Sequence, residues 1–174
     1  KNRDRGLGDY LDYLALGRKD LEGKIILDVG AGQARFAEEA RQSIPGVSVI
    51  ALEPIPPNDS IHRYRGKGIT RYHKRALPFR NESFDLVVGV WSLPAYVRSG
   101  RELEEFLKDV KRMLKKGGEA RMSPFIQYGT MIGGVGDFFC WSSTEKLLDN
   151  LGFAHHVEVG EGTGPLSARG STPS

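Results

Sequence analysis

Apolar positions along the chain fall into short β-branched runs separated by stretches with helical spacing. The first run, Ile25-Ile26-Leu27-Asp28-Val29, stops at Gly30-Ala31-Gly32, and Ala34, Phe36, Ala37, Ala40 and Ile44 then recur at the interval of an amphipathic helix. An apolar run bounded by glycine reads as a buried parallel strand, so this segment predicts strand, loop, helix. Val47 to Leu52 predicts a second strand, Ile69 to Tyr72 a weak third, and Phe84 to Val90 a central fourth in which nearly every residue is apolar. Ser99-Gly100-Arg101-Glu102 is a capping box for a helix with Leu103, Phe106, Leu107, Val110 and Leu114 on its inner face, ended by Gly117-Gly118. A fifth strand follows at Ala120 to Met122. Ser142 to Glu145 caps a last helix with Leu147, Leu148 and Leu151 inward, and Phe153 to Val159 predicts a sixth strand. Strands that alternate with helices predict an α/β fold, a doubly wound, mostly parallel sheet with helices on both faces.

The ends depart from this rhythm. Residues 1–8 are polar and predict a mobile N-terminal segment; Asp9 then caps a short helix with Tyr10, Leu11, Leu14 and Ala15 at helical spacing, stopped by Gly17. Pro54, Pro56 and Pro57 leave room for a stunted second crossover helix only. From Gly160 onward the chain is mostly Gly, Ser, Thr and Pro with one leucine, which predicts a flexible tail over 161–174 and no final antiparallel strand. The expectation is one domain over 9–160.

The junction at Gly30 has the character of a ligand site. Its glycines allow a close backbone approach, and the helix that follows points free N–H groups at the gap. A dinucleotide fingerprint, G-x-G-x-x-G, would need a third glycine where Arg35 stands. Glu53 sits just beyond the second strand, where open α/β sheets bind ligands and where a carboxylate accepts ribose hydroxyls.

Asp28-x-Gly30-x-Gly32-x-Ala34 resembles motif I of the class I S-adenosylmethionine (SAM) dependent methyltransferases. Glu53, Ala76-Leu77-Pro78-Phe79 before a turn, the Phe84-Asp85 strand and the Lys115-Lys116-Gly117-Gly118 turn follow in the order of that family. The resemblance implies a Rossmann-like sheet and SAM as cofactor, with S-adenosylhomocysteine as product. It places Asp28, Gly30, Ala31 and Gly32 at the methionine end, Glu53 and Pro54 at the ribose, backbone groups of Ala76 and Leu77 at the adenine, and Trp91 at the end of the fourth strand. Where relatives carry an Asp for the adenine amino group, this chain has His73. No catalytic residue is assigned: relatives often carry His after the fourth strand and this chain does not, which leaves His73, Tyr96, Asp137 and the tyrosines Tyr10 and Tyr13 as weak candidates for a base.

Composition narrows the setting. Cys140 is the only cysteine, which fits a reducing, cytoplasmic environment, and the four histidines lack metal-ligand spacing. No apolar run approaches the length of a membrane span. The formal net charge of +3 arises from the stretch 61–80, which holds seven Lys and Arg and no acid. That stretch reads first as a solvated sheet edge and second as a nucleic-acid surface. Apolar, aromatic and glycine-rich loops after the fourth and fifth strands, with Arg98, Arg101 and Arg121 nearby, favour a small organic acceptor methylated on oxygen or nitrogen. The alternatives are an RNA or protein methyltransferase and an inactive SAM-binding partner subunit.

Overall fold

A computed structural model of the chain describes residues 5–54, 69–72, 77–92, 100–123, 141–158 and 167–171. Among the described residues seven strands form one sheet: β1 (Ile25–Val29), β2 (Ser48–Pro54), β3 (Ile69–Tyr72), β4 (Phe84–Val90), β5 (Leu114–Ser123), β6 (Ala154–Glu158) and β7 (Ser167–Ser171). Their order across the sheet is β3-β2-β1-β4-β5-β7-β6. The first five are mutually parallel, and β7 runs antiparallel between β5 and β6. β1 is flanked by β2 on one side and β4 on the other, with Asp28 level with Ala51 and Val88. The chain order reverses there, which opens a crevice at the carboxyl ends of these strands.

Among the described residues the α-helices are α1 (Leu7–Tyr13), α2 (Arg35–Ser43), α3 (Gly100–Met113) and α4 (Trp141–Asn150). Strand alternation divides the core between the two sheet faces. Leu27, Val29 and Val87 meet Leu103, Phe106 and Val110 of α3 and Leu148 of α4. Ile26, Val49, Leu86 and Val88 meet Phe36, Ala37 and Ala40 of α2 and Leu7 and Tyr10 of α1. Asp28, two residues after Ile26, therefore projects into the α1–α2 layer.

Four sequence expectations are corrected. The sheet has its antiparallel seventh strand: Ser167–Ser171 enters the ladder through hydrogen bonds to neighbours on both sides, so it needs little apolar character of its own. The stretch assigned as a tail thus contains sheet. At the other end Leu7 is 4% exposed and opens α1, so the fold reaches back into the segment expected to be mobile. Asp9 caps from inside the helix, its carboxylate accepting the Gly6 N–H at 2.9 Å. α3 ends at Met113 rather than at the glycines: Leu114 already pairs with Phe84, and the chain bulges before Glu119 meets Leu86, with Gly117 at φ +70°.

A seven-residue helix is not stable alone. α1 is held by the burial of Leu7, Tyr10, Leu14 and Leu16, each fully buried side chain contributing about 1.5–3 kcal/mol, and by polar pins at both ends. Glu39 of α2 accepts the Leu7 N–H at 2.7 Å. Arg121 of β5, expected among the acceptor-side cations, is instead 8% exposed and donates to the Leu14 and Ala15 carbonyls at 3.1 and 2.8 Å while paired with Glu119. Arg121→Met removes these bonds and strands Glu119, so it should lower unfolding free energy by about 2–4 kcal/mol in urea melts.

Candidate functional site

β1, β2 and β4 each deliver one feature to the crevice. β1 delivers Asp28, which is fully buried. Its Oδ1 accepts the Tyr10 hydroxyl at 2.8 Å, and its Oδ2 has no hydrogen-bond partner among the described residues. Tyr10 reaches it from α1 and is itself fixed by stacking on Phe36, with ring centroids 4.1 Å apart and planes 2° from parallel. Burial raises the Asp28 carboxyl to about 7; the Tyr10 hydrogen bond and the Arg5 charge hold it down, and Glu53 pushes it up. Burial and Asp28 drive the Tyr10 hydroxyl well above its ordinary value, so Tyr10 acts as a donor and not as a base.

β2 delivers Glu53, half-buried at the strand's end, whose Oε2 accepts the Gly32 N–H at 2.8 Å. Its carboxyl is raised by burial and lowered by that N–H and by Arg5. A carboxylate has capacity for further donors beyond this one. The loop between is fixed by the Gly30 and Ala31 N–H groups, which donate to the Leu52 carbonyl at 2.7 and 3.1 Å. Gly30, at φ +78°, lies so close to Ser92 that a Cβ would come within 2.2 Å of the Ser92 Cβ. Gly32, at φ +56°, faces open space. Ala34, the residue at the third motif position, takes φ +62° and turns the chain into α2.

β4 delivers Trp91, which is 37% exposed, stands at φ +52°, and donates its N–H to the Ser123 carbonyl at 2.6 Å. A left-handed backbone is costly for a bulky residue and marks a place where the surroundings over-determine it. Leu77 departs from its expected part. Its N–H is donated to Asp109 at 2.8 Å, its carbonyl accepts from Arg112 at 3.1 Å, and its side chain is in the core, so its N–H is not free for an adenine ring. Pro54 ends β2 beside Glu53. Ala76, His73, Tyr96, Arg98, Asp137, Cys140 and most of the basic stretch 61–80 lie outside the described residues. Of the other expected acceptor-side cations, Arg101 pairs with Glu105 on the exposed face of α3.

The family model described as a methyltransferase domain matches residues 27–122, from β1 through β5. The chain belongs to this family of class I SAM-dependent methyltransferases. Among curated relatives, it is 32% identical over 103 residues to the protein named probable phthiotriol/phenolphthiotriol dimycocerosates methyltransferase 2 of Mycobacterium ulcerans (strain Agy99), a match covering 57% of this chain and 38% of that protein. The match thus spans well under half of the relative. Among solved structures, SAM-bound CalS10, an amino pentose methyltransferase of Micromonospora echinaspora, has TM-score 0.67 at 17% identity, covering 95% of this chain and 89% of that one. A SAM-dependent methyltransferase of Thermotoga maritima has TM-score 0.60 at 23% identity, covering 94% and 89%. At these identities both show the fold.

The methyltransferase site fits its cofactor on its own terms. A fully buried carboxylate oxygen without a partner calls for a donor, and the methionine end of SAM carries an ammonium group. Gly32 leaves space in front of the loop, and Glu53 stands at the carboxyl end of β2, where open α/β sheets bind ligands.

Sequence reasoning gave Tyr10 a packing role and a weak candidacy as a base, and did not foresee its bond to Asp28. A signal was present, since a tyrosine on the inner face of a helix needs a partner for its hydroxyl, and a buried Asp needs a donor.

Asp28 holds its proton in the folded chain up to about pH 7, while the unfolded carboxyl loses it near 3.8. The folded state therefore binds the extra proton between these values, and stability falls as pH rises through that window. Ligand-free wild type should lose stability on the order of a few kcal/mol between pH 4 and pH 8, and Asp28→Asn should lack that component. Urea melts of both proteins at the two pH values check this, and parallel behaviour would count against an ionising Asp28.

Proposed function

We propose that this chain binds SAM at the β1–β2–β4 crevice and methylates an oxygen or nitrogen of a small organic acceptor. The observation that carries the cofactor half is the divided state of Asp28, with one oxygen bonded to Tyr10 and the other buried and free. Asp28 Oδ2 takes the ammonium of the methionine end. Glu53 takes the ribose hydroxyls with the lone pairs left after Gly32, and Gly30 and Gly32 let the backbone come close.

The chemistry that bound SAM supplies is a methyl group on a positive sulfonium, transferred by in-line displacement. What the protein does for such a transfer is mainly to position the acceptor at about 3–3.5 Å in near-attack geometry and to exclude water. Trp91, exposed at the carboxyl end of β4 beside Ser92 and held in a left-handed conformation, is placed to present an aromatic face to an acceptor. The names of the similar proteins, a dimycocerosates methyltransferase and an amino pentose methyltransferase, support an organic acceptor over RNA or protein. Among the described residues no helix is long and apolar enough to cross a membrane. The reading of an inactive partner subunit loses one of its grounds, because the seventh strand is in the sheet.

Thermal melting with S-adenosylhomocysteine and with NAD tests the cofactor half. At about 100 times its dissociation constant a ligand adds about 2.7 kcal/mol. S-adenosylhomocysteine should give such a rise, NAD none, and Glu53→Ala should abolish most of it. Stabilisation by NAD alone would overturn the reading.

A further inference from the structure

Among the described residues two buried side-chain polar atoms lack a hydrogen-bond partner, Asp28 Oδ2 and Arg5 Nε. They carry opposite charge and are tied to one helix: Arg5 stands two residues before the start of α1, whose Tyr10 bonds Asp28, and the Arg5 charge holds the Asp28 and Glu53 carboxyls down. Burying either atom unbonded is costly, and native folds seldom leave such atoms without something to satisfy them.

Arg5 is not there by accident of a loose end. The residue after it is fixed and closely packed: the Gly6 N–H donates to Asp9 Oδ2 at 2.9 Å, and Glu39 lies so near that a Cβ on Gly6 would come within 2.4 Å of its Oε2. The Leu7 N–H donates to that same Glu39 oxygen at 2.7 Å. Arg5 thus leaves the fold at the start of α1, the helix whose Tyr10 holds Asp28. A zwitterionic amino-acid end, with ammonium and carboxylate on one carbon, answers both orphaned atoms at once. A guanidinium is the side chain best suited to a carboxylate, through paired N–H donors.

We infer that Arg5 binds the carboxylate of the methionine end of SAM, opposite Asp28 at its ammonium. The inference rests on the cofactor reading above and adds to it a residue from outside the glycine-rich loop. It makes Arg5, two residues before α1, part of the binding site, with Glu39, which holds the Leu7 N–H, as the residue that positions it.

Decarboxylated SAM keeps the sulfonium and the ammonium and lacks the carboxylate, so it isolates the contact. Titration calorimetry of wild type and Arg5→Met with SAM and with decarboxylated SAM should show wild type preferring SAM by about tenfold, as expected for a charge-assisted bond. Arg5→Met should lose about tenfold for SAM and stay within about twofold for decarboxylated SAM. Arg5→Lys keeps a cation on the stem and should retain an intermediate preference, which guards against a Met variant that folds poorly. Equal weakening of both ligands in the two variants, or no change in either, would overturn the assignment of Arg5. Failure of wild type to bind either ligand would instead overturn the cofactor reading, and Arg5 with it.

Discussion

The hydrogen bond from Tyr10 to Asp28 is the constraint on which the site depends. A carboxylate at the centre of a parallel sheet, with no exposed surface, is destabilising unless something answers it. Tyr10 answers half. The 2.8 Å bond fixes the rotamer of Asp28 and commits Oδ1, so that Oδ2 is left as an acceptor of defined direction. A site arranged in this way is strained when empty and relieved by a cationic donor, which is how a binding residue can lower stability and raise affinity together.

The rest of the fold can be traced to what that bond requires. Asp28 must lie on the α1–α2 face, which the alternation Ile26, Asp28 along β1 secures. Tyr10 must be rigid, and stacking on Phe36 makes it so. α1 must stay docked although it is only two turns long, and Glu39 at its start and Arg121 at its end tie it to α2 and β5. The reversal of strand order between β1 and β4 brings Glu53 and Trp91 to the same crevice. Thus a helix remote from the glycine-rich loop in function as usually read is coupled to it through one hydroxyl.

Much of this was legible in the residues. The apolar runs marked six of the seven strands, because buried strands are rich in β-branched and aliphatic side chains. Asp28, Gly30, Gly32 and Glu53 were recognisable because close backbone approach and a strand-end carboxylate each demand a particular residue type. β7 was not, since Ser167–Ser171 carries no apolar pattern and owes its place to ladders on both sides. Leu77 misled for a similar reason: its backbone partners, Asp109 and Arg112, lie 32 and 35 residues further along the chain, on α3. Arg5 and the bond from Tyr10 to Asp28 escaped because periodicity reports which face a residue occupies and says nothing of the polar atom at its tip.

The most direct measurement of the central claim is the ionisation of Asp28 itself, followed by carbon NMR of the labelled aspartate carboxyl with and without S-adenosylhomocysteine. In the ligand-free protein the resonance should titrate at about 7. With the ligand's ammonium on Oδ2 the midpoint should fall by about 1–3 units. A carboxyl that titrates at its ordinary value in the free protein, or one whose midpoint is unmoved by saturating ligand, would contradict the account.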